Sequence, residues 1–158
     1  MTNDNIRRLI SVVVLNEHGV LSRISGLFAG RGYNIDSLTV APIPGTEFSR
    51  LSIVTNGDKR VIEQIVKQLH KLVPIYKVIE DAEFIEKEMA LVKIPLNDNL
   101  SGLDAVLKSY NGSIANSDEK TLMVMACDDA NRIDSFIKTM RRYEPIDIVR
   151  SGSVIMDV

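Results

Sequence analysis

The spacing of apolar residues along this chain changes period in a fixed order, and that order restricts the possible folds more tightly than any other property of the sequence. IRRLISVVVL (6–15) is dense in β-branched and aliphatic residues, as expected of a strand covered on at least one face. From Val20 to Arg31 the period becomes helical, with Leu21, Ile24, Leu27 and Phe28 on one side. Ser25, Gly26 and Ala29 are small enough to let that helix lie close to a neighbour, and Gly30 and Gly32 supply its stop. NIDSLTVAPI (34–43) is again strand-like, ended by Pro42 and the turn at Pro44 and Gly45, and EFSRLSIVT (47–55) forms the other arm of a hairpin. Asn56, Gly57 and Asp58 open a second helix with Asp58 as N-cap. Its stripe is Val61, Ile62, Ile65, Val66, Leu69 and Leu72; Pro74 ends it, and IYKVIEDAEF (75–84) resumes extended structure.

Strand, helix, strand, strand, helix, strand is the split βαβ order of a ferredoxin-like fold. It yields one antiparallel sheet with two helices on one face, the other face being left to pack or to be solvated. The second half repeats the logic. MALVKIPL (89–96) is a strand, and Leu100, Leu103, Val106, Leu107 and Tyr110 mark a helix. SIANSDE and TLMVMACD turn near 118–120; Ile133, Phe136, Ile137 and Met140 stripe a last helix, and IDIVRSGSVIMDV closes as a strand interrupted at Gly152. The expectation is an α+β chain of two tandem βαββαβ domains, 1–84 and 85–158, joined near IEKEM (85–89). The halves share architecture and not sequence.

Composition excludes several classes of function. The formal charge is −2, with Lys and Arg scattered singly, so the basic stripe of a nucleic-acid binder is missing. The longest apolar runs are strand length, well below the ~20 residues that span a bilayer, and no basic-then-apolar leader is visible, which makes the cytoplasm the expected location. Cys127 stands alone and His18 and His70 do not form a ligand pair, so neither a disulfide nor a metal site is expected. No G-x-S-x-G, H-E-x-x-H, Walker A or paired-carboxylate pattern is present, and Gly26, Gly30 and Gly32 lack the dinucleotide spacing. No catalytic residue is assigned.

The unusual local feature is NEHGVLSRISGLFAGRGYNI (16–35). Gly19 lies where the backbone turns from strand to helix, and N–H groups at a helix start favour an anion such as an α-carboxylate. Asn16 and Asn34 would bracket that helix start if their strands lie side by side, and an amide can serve an amino group or a carboxylate without adding charge. Val20, Leu21 and Ile35 could line an apolar part. The composite suits a small zwitterion with an aliphatic side chain. The same residues also fit a purely structural role, the asparagines satisfying turn backbone, Gly19 permitting a bend and His18 a solvated turn position. Asp36, Ser37 and Thr39 read as ordinary polar residues of an alternating strand.

NEHGVLSRISGLFAGRGYNIDSLTVAP (16–42) resembles the N-terminal segment of the small, regulatory subunits of acetolactate synthase, also called acetohydroxyacid synthase. QLHKLVPIYKV (68–78), EMALVKI (88–94) and RSG (150–152) resemble later landmarks of that family in the same order, so the likeness extends over essentially the whole chain. The resemblance implies that the first unit is an ACT domain, an amino-acid-sensing module that works as a dimer, and that the second is the family's ferredoxin-like C-terminal domain. It implies a non-catalytic subunit in branched-chain amino acid biosynthesis. Such a subunit activates a separate catalytic (large) subunit and confers feedback inhibition by valine. The thiamine diphosphate, Mg and FAD of the enzyme belong on that large subunit, and this chain itself is expected to carry no cofactor. By motif, effector contacts fall on Asn16, Gly19, Val20 and Leu21 on one side and Asn34 and Ile35 on the other, with His18 at a variable position beside them. A transcriptional sensor would need a helix-turn-helix or a basic surface, a small enzyme a catalytic constellation, and a purely structural oligomerisation module would bind no amino acid.

Overall fold

The computed structural model describes residues 5–158; the first four residues of the expected first domain lie outside the described residues. The first half comprises β1 (Asn5–Leu15), α1 (Val20–Ala29), β2 (Ile35–Pro42), β3 (Phe48–Asp58), α2 (Lys59–Leu69) and β4 (Ile75–Ile79). The second comprises β5 (Phe84–Pro95), α3 (Leu103–Ser109), β6 (Ser113–Ser117), β7 (Thr121–Asp128), α4 (Ala130–Met140), a 3-10 turn (Arg141–Tyr143) and β8 (Asp147–Asp157). The sheets are four-stranded and antiparallel, ordered β2-β3-β1-β4 and β6-β7-β5-β8, so the βαββαβ pattern occurs twice as the periodicity requires.

In the first sheet β1 and β3 pair in unbroken register from Asn5 opposite Asp58 to Leu15 opposite Phe48. Alternation sends Ile10, Val12 and Val14 of β1 and Leu51 and Ile53 of β3 to one face. There they close a core with Ile24 and Phe28 of α1 and Ile62, Ile65 and Leu69 of α2. Each such fully buried side chain contributes about 1.5–3 kcal/mol, which is why the helical stripes dock on this face and no other. In the second sheet Ala90, Val92 and Ile94 of β5 and Leu122 and Val124 of β7 pack against Leu103, Leu107, Ile133 and Phe136.

Three boundaries differ from the periodicity. β3 continues through Asn56 and Gly57, and only then does Asp58 cap α2, its carboxylate accepting from the Arg60 N–H at 2.7 Å. β4 ends at Ile79 and β5 begins at Phe84, so the expected joint at 85–89 is strand. β8 runs unbroken through Gly152, whose φ of 78° lets the strand change course without ending.

The chain forms two compact units, one of residues up to Ile85 together with Ser153–Val158, the other of Glu86–Gly152. The last six residues thus group with the first unit, which a division at 84/85 does not include. The physical reason is hydrogen bonding. The Ser153 N–H donates to Ser37 Oγ at 2.8 Å and the Ile155 N–H to the buried Ser52 Oγ at 3.2 Å. Ser52 and Ser37 lie on the face of the first sheet that the helices do not cover, so this terminal segment meets that face. In the second unit Arg150 of β8 donates to Glu88 of β5 and to Asp134 of α4, each at 2.6 Å, and joins strand to helix.

Candidate effector site

The loop after β1 is held by backbone before any side chain matters. The Leu15 N–H donates to Pro74 O and the Asn16 N–H to Glu47 O, both at 2.9 Å, which fixes where the chain leaves the sheet. Gly19 then takes φ 82°, a left-handed conformation that costs any residue with a Cβ about 1–2 kcal/mol. As N-cap it offers no side-chain oxygen to α1, so the N–H groups of the first turn point outward uncapped. That is the arrangement an anion seeks at a helix start. Asn16 and His18 are exposed beside it.

The expected apolar lining divides. Val20 is 4% exposed and its side chain belongs to the core, so only its backbone faces the loop; Leu21 is 43% exposed and is the apolar group this end presents. Ile35 packs against the same core from the other end of the sheet.

Asn34 stands at that other end. β3 lies between β1 and β2, and Ile35 aligns with Thr55, which in turn aligns with Arg8, near the beginning of β1. Asn16 follows Leu15 at the end of β1. At ~3.3 Å per strand residue the two asparagines are about 25 Å apart. They do not bracket one helix start within a single chain, because the strands that carry them are parallel, separated by β3, and left at opposite ends.

Polar groups gather at the Asn34 end. An open polar cavity of about 620 Å³ is lined there by Asn34, Asp36, Asn56, Tyr33, Asn5 and Asp58, among others. Thr55, fully buried, donates its hydroxyl to Asn34 O at 2.9 Å and pins that residue's backbone. The edge of the Tyr33 ring abuts Gly57: a Cβ there would come within 1.7 Å of it. The Tyr33 hydroxyl accepts from the Asp58 N–H at 3.1 Å. The pairing of β2 with β3 shifts between Ile35 and Ser37, so Asp36 sits at a bulge, and Asn56 Nδ2 donates to its Oδ2. Thr55, Tyr33, Gly57, Asn56 and the bulge at Asp36 were not marked by sequence reasoning. The available signal was the N-G-D run at 56–58, which reads as a helix start because two of its residues favour turns.

Elsewhere, Arg31 bonds Gln64 of α2 at 3.0 Å, which uses its guanidinium within its own unit. Among the described residues no group of three or more His, Cys, Asp or Glu could hold a metal ion, and no helix is long and apolar enough to cross a membrane.

Known proteins share this geometry. Residues 10–77 match the family described as the AHAS small subunit-like ACT domain, and residues 87–157 match the family described as the small subunit of acetolactate synthase. The chain is 41% identical over 155 residues to the acetolactate synthase isozyme 3 small subunit of Escherichia coli, covering 94% of each chain. It is 39% identical over 153 residues to the acetolactate synthase small subunit of Buchnera aphidicola, covering 94% of this chain and 97% of that one. The crystal structure of the acetolactate synthase small subunit from Thermotoga maritima superposes with a TM-score of 0.86 at 30% identity, over 97% of this chain and 98% of that one. With both halves matched, in order and nearly end to end, this chain belongs to the family of acetolactate synthase small, regulatory subunits and carries an ACT domain.

Proposed function

We propose that this chain serves as the non-catalytic regulatory partner of an acetolactate synthase catalytic subunit, raising that subunit's activity and passing on feedback inhibition by valine in branched-chain amino acid biosynthesis. The relatives are named as small subunits, which fits a separate large subunit carrying the thiamine diphosphate, Mg and FAD, with this chain holding no cofactor. The assembly would work in the cytoplasm.

One observation carries the reading. Among the described residues β2 is an edge strand, with β3 on one side and no further strand beyond it in its own sheet. Two copies pairing antiparallel along β2, about a two-fold axis, would extend the sheet and reverse one strand against the other. The start of β2 in one copy, with Asn34 and Ile35, would then lie toward the end of the sheet where its partner holds Asn16, Gly19, Val20 and Leu21. The wide separation within one chain becomes proximity between two. An α-carboxylate would meet the open helix start of one copy, and the rest of the effector would meet the asparagine and aliphatic groups of both.

An effector shared by two copies binds only one arrangement of them well. Such differential binding is what shifts an equilibrium, with couplings of ~1–3 kcal/mol, or about 5- to 150-fold in affinity. Isothermal titration with valine, leucine, isoleucine and alanine tests the reading. Saturable valine binding that Asn16→Ala and Asn34→Ala each remove is the expected result. Valine binding that survives both substitutions would place the effector elsewhere.

A further inference from the structure

We propose that Ser37 is the positioning residue through which an effector held between two copies acts beyond its own site. Its hydroxyl ties the edge strand β2 to the terminal segment Ser153–Val158, and without that tie valine binds but does not inhibit. The inference rests on the shared site just described and adds to it the residue that passes its occupancy on.

Binding alone regulates nothing; the state of the site must change contacts elsewhere in the chain. Of the two elements that carry the site, α1 is set by Ile24 and Phe28 into a close-packed core. β2 is held less firmly. It is an edge strand, bonded to β3 on one side, and its pairing shifts between Ile35 and Ser37. The stretch bearing Asn34 and Ile35 therefore enters the regular ladder at Ser37, opposite Val54. An effector drawn to Asn34 acts on β2 just where Ser37 begins that ladder.

Ser37 touches no effector, because it lies on the face of the sheet that the helices leave open. There its Oγ accepts the Ser153 N–H at 2.8 Å. Ser153 is fully buried, so displacing Ser37 either draws the terminal segment along or takes the acceptor from a buried donor. The segment belongs to β8, which runs unbroken from Asp147 to Asp157 and is fixed three residues before Ser153 by the bonds of Arg150 to Glu88 and Asp134. A shift at Ser153 is thus handed along a continuous strand. Ser52 holds the same segment, accepting the Ile155 N–H at 3.2 Å, but it stands on β3, which is paired on both sides. Of these two hydroxyls, Ser37 is the one on a strand free to move.

The test uses two replacements of matching shape. Ser37→Thr keeps an acceptor at this position and Ser37→Val does not, and both are β-branched and suited to a strand. Each full chain is titrated with valine, then assembled with the catalytic subunit, and inhibition is read at saturating valine. Both variants should bind valine at the natural stoichiometry and activate the catalytic subunit. Ser37→Thr should keep more than half of the natural inhibition and Ser37→Val less than half. Ser37→Ala, a smaller replacement, should behave as Ser37→Val does, and thermal midpoints show that each variant is folded. Ser52→Ala, which loosens the same segment from the inner strand, should keep more than half. Inhibition above half in folded Ser37→Val and Ser37→Ala, or an equal loss in Ser52→Ala, overturns the inference while leaving the shared site standing. Loss of valine binding in these Ser37 variants also overturns it, since Ser37 would then shape the site and not report on it. Valine binding that survives both Asn16→Ala and Asn34→Ala overturns the inference together with the reading beneath it.

Discussion

Two glycines do different work, and substituting each separates conformational from steric demand. At Gly19 nothing lies within 4 Å of the place a Cβ would take, so Gly19→Ala costs only its φ of 82°, about 1–2 kcal/mol. At Gly57 the backbone tolerates a Cβ and the Tyr33 ring does not, the approach being 1.7 Å. Gly57→Ala should destabilise by about 1–3 kcal/mol, as overpacking does, and should disturb the Asn34 end of the sheet. The double variant Gly57→Ala with Tyr33→Ala should lose less than the sum of the two single variants, because the clash disappears with the ring. Thermal or denaturant unfolding of the four chains measures this coupling. Gly19 was legible in the sequence because a strand-to-helix turn demands such a residue locally. Gly57 was not, since its partner is 24 positions earlier in the chain and no local pattern links them. The same holds for Thr55, whose hydroxyl is spent on Asn34, and for Asp36, whose place at a bulge only the pairing with β3 reveals.

At the scale of elements, the helices and most strands were legible because one face of each is buried and the apolar period records it. The boundaries at 56–58 and 80–89 were not, since Asn56 and Gly57 are turn-prone residues kept in strand by the continuous ladder to β1. The hairpin between β6 and β7 shows an element end fixed by one charge. Asp118 accepts from the Lys120 and Thr121 N–H groups and from the Thr121 hydroxyl, and these bonds hold its carboxyl below the ordinary value of 3.8. A carboxyl lowered in the folded state contributes stability above its unfolded value, and that contribution is lost as pH falls through the folded one. Asp118→Asn keeps an acceptor and loses the charge, so its thermal midpoint should fall less steeply than that of the natural sequence below pH ~4. The link among β5, β8 and α4 makes a different demand. Glu88 is 6% exposed, and removing Arg150 takes one partner from a carboxylate in a poorly hydrated place. Buried pairs broken in this way cost about 3–5 kcal/mol; the Arg150 side chain is 35% exposed, and screening brings the expected loss for Arg150→Ala nearer ~2 kcal/mol. Lys87→Ala, which removes the exposed contact with Asp129, should leave the unfolding midpoint unchanged.

At the scale of the whole molecule, the arrangement of strands decides whether one chain can hold an effector site. Asn16 and Asn34 resemble one pocket in the sequence because a single helix separates them, yet a ten-residue helix between parallel strands carries the chain from one end of the sheet to the other. If the site forms only between copies, it obeys an arithmetic that a site within one chain cannot. Chains carrying Asn16→Ala and chains carrying Asn34→Ala each make homodimers in which both sites are broken. In a heterodimer of the two, one site combines both damaged halves, and the other combines the intact loop of one chain with the intact β2 start of the other. Random pairing of equal amounts makes half of the dimers mixed, so about a quarter of all sites should regain valine binding. Titration of the two variants separately, and again after unfolding and refolding them together, should show no binding, no binding, and then about a quarter of the original stoichiometry. Were both asparagines to serve a site within their own chain, every site would still lack one of them and the mixture would bind no more than its components.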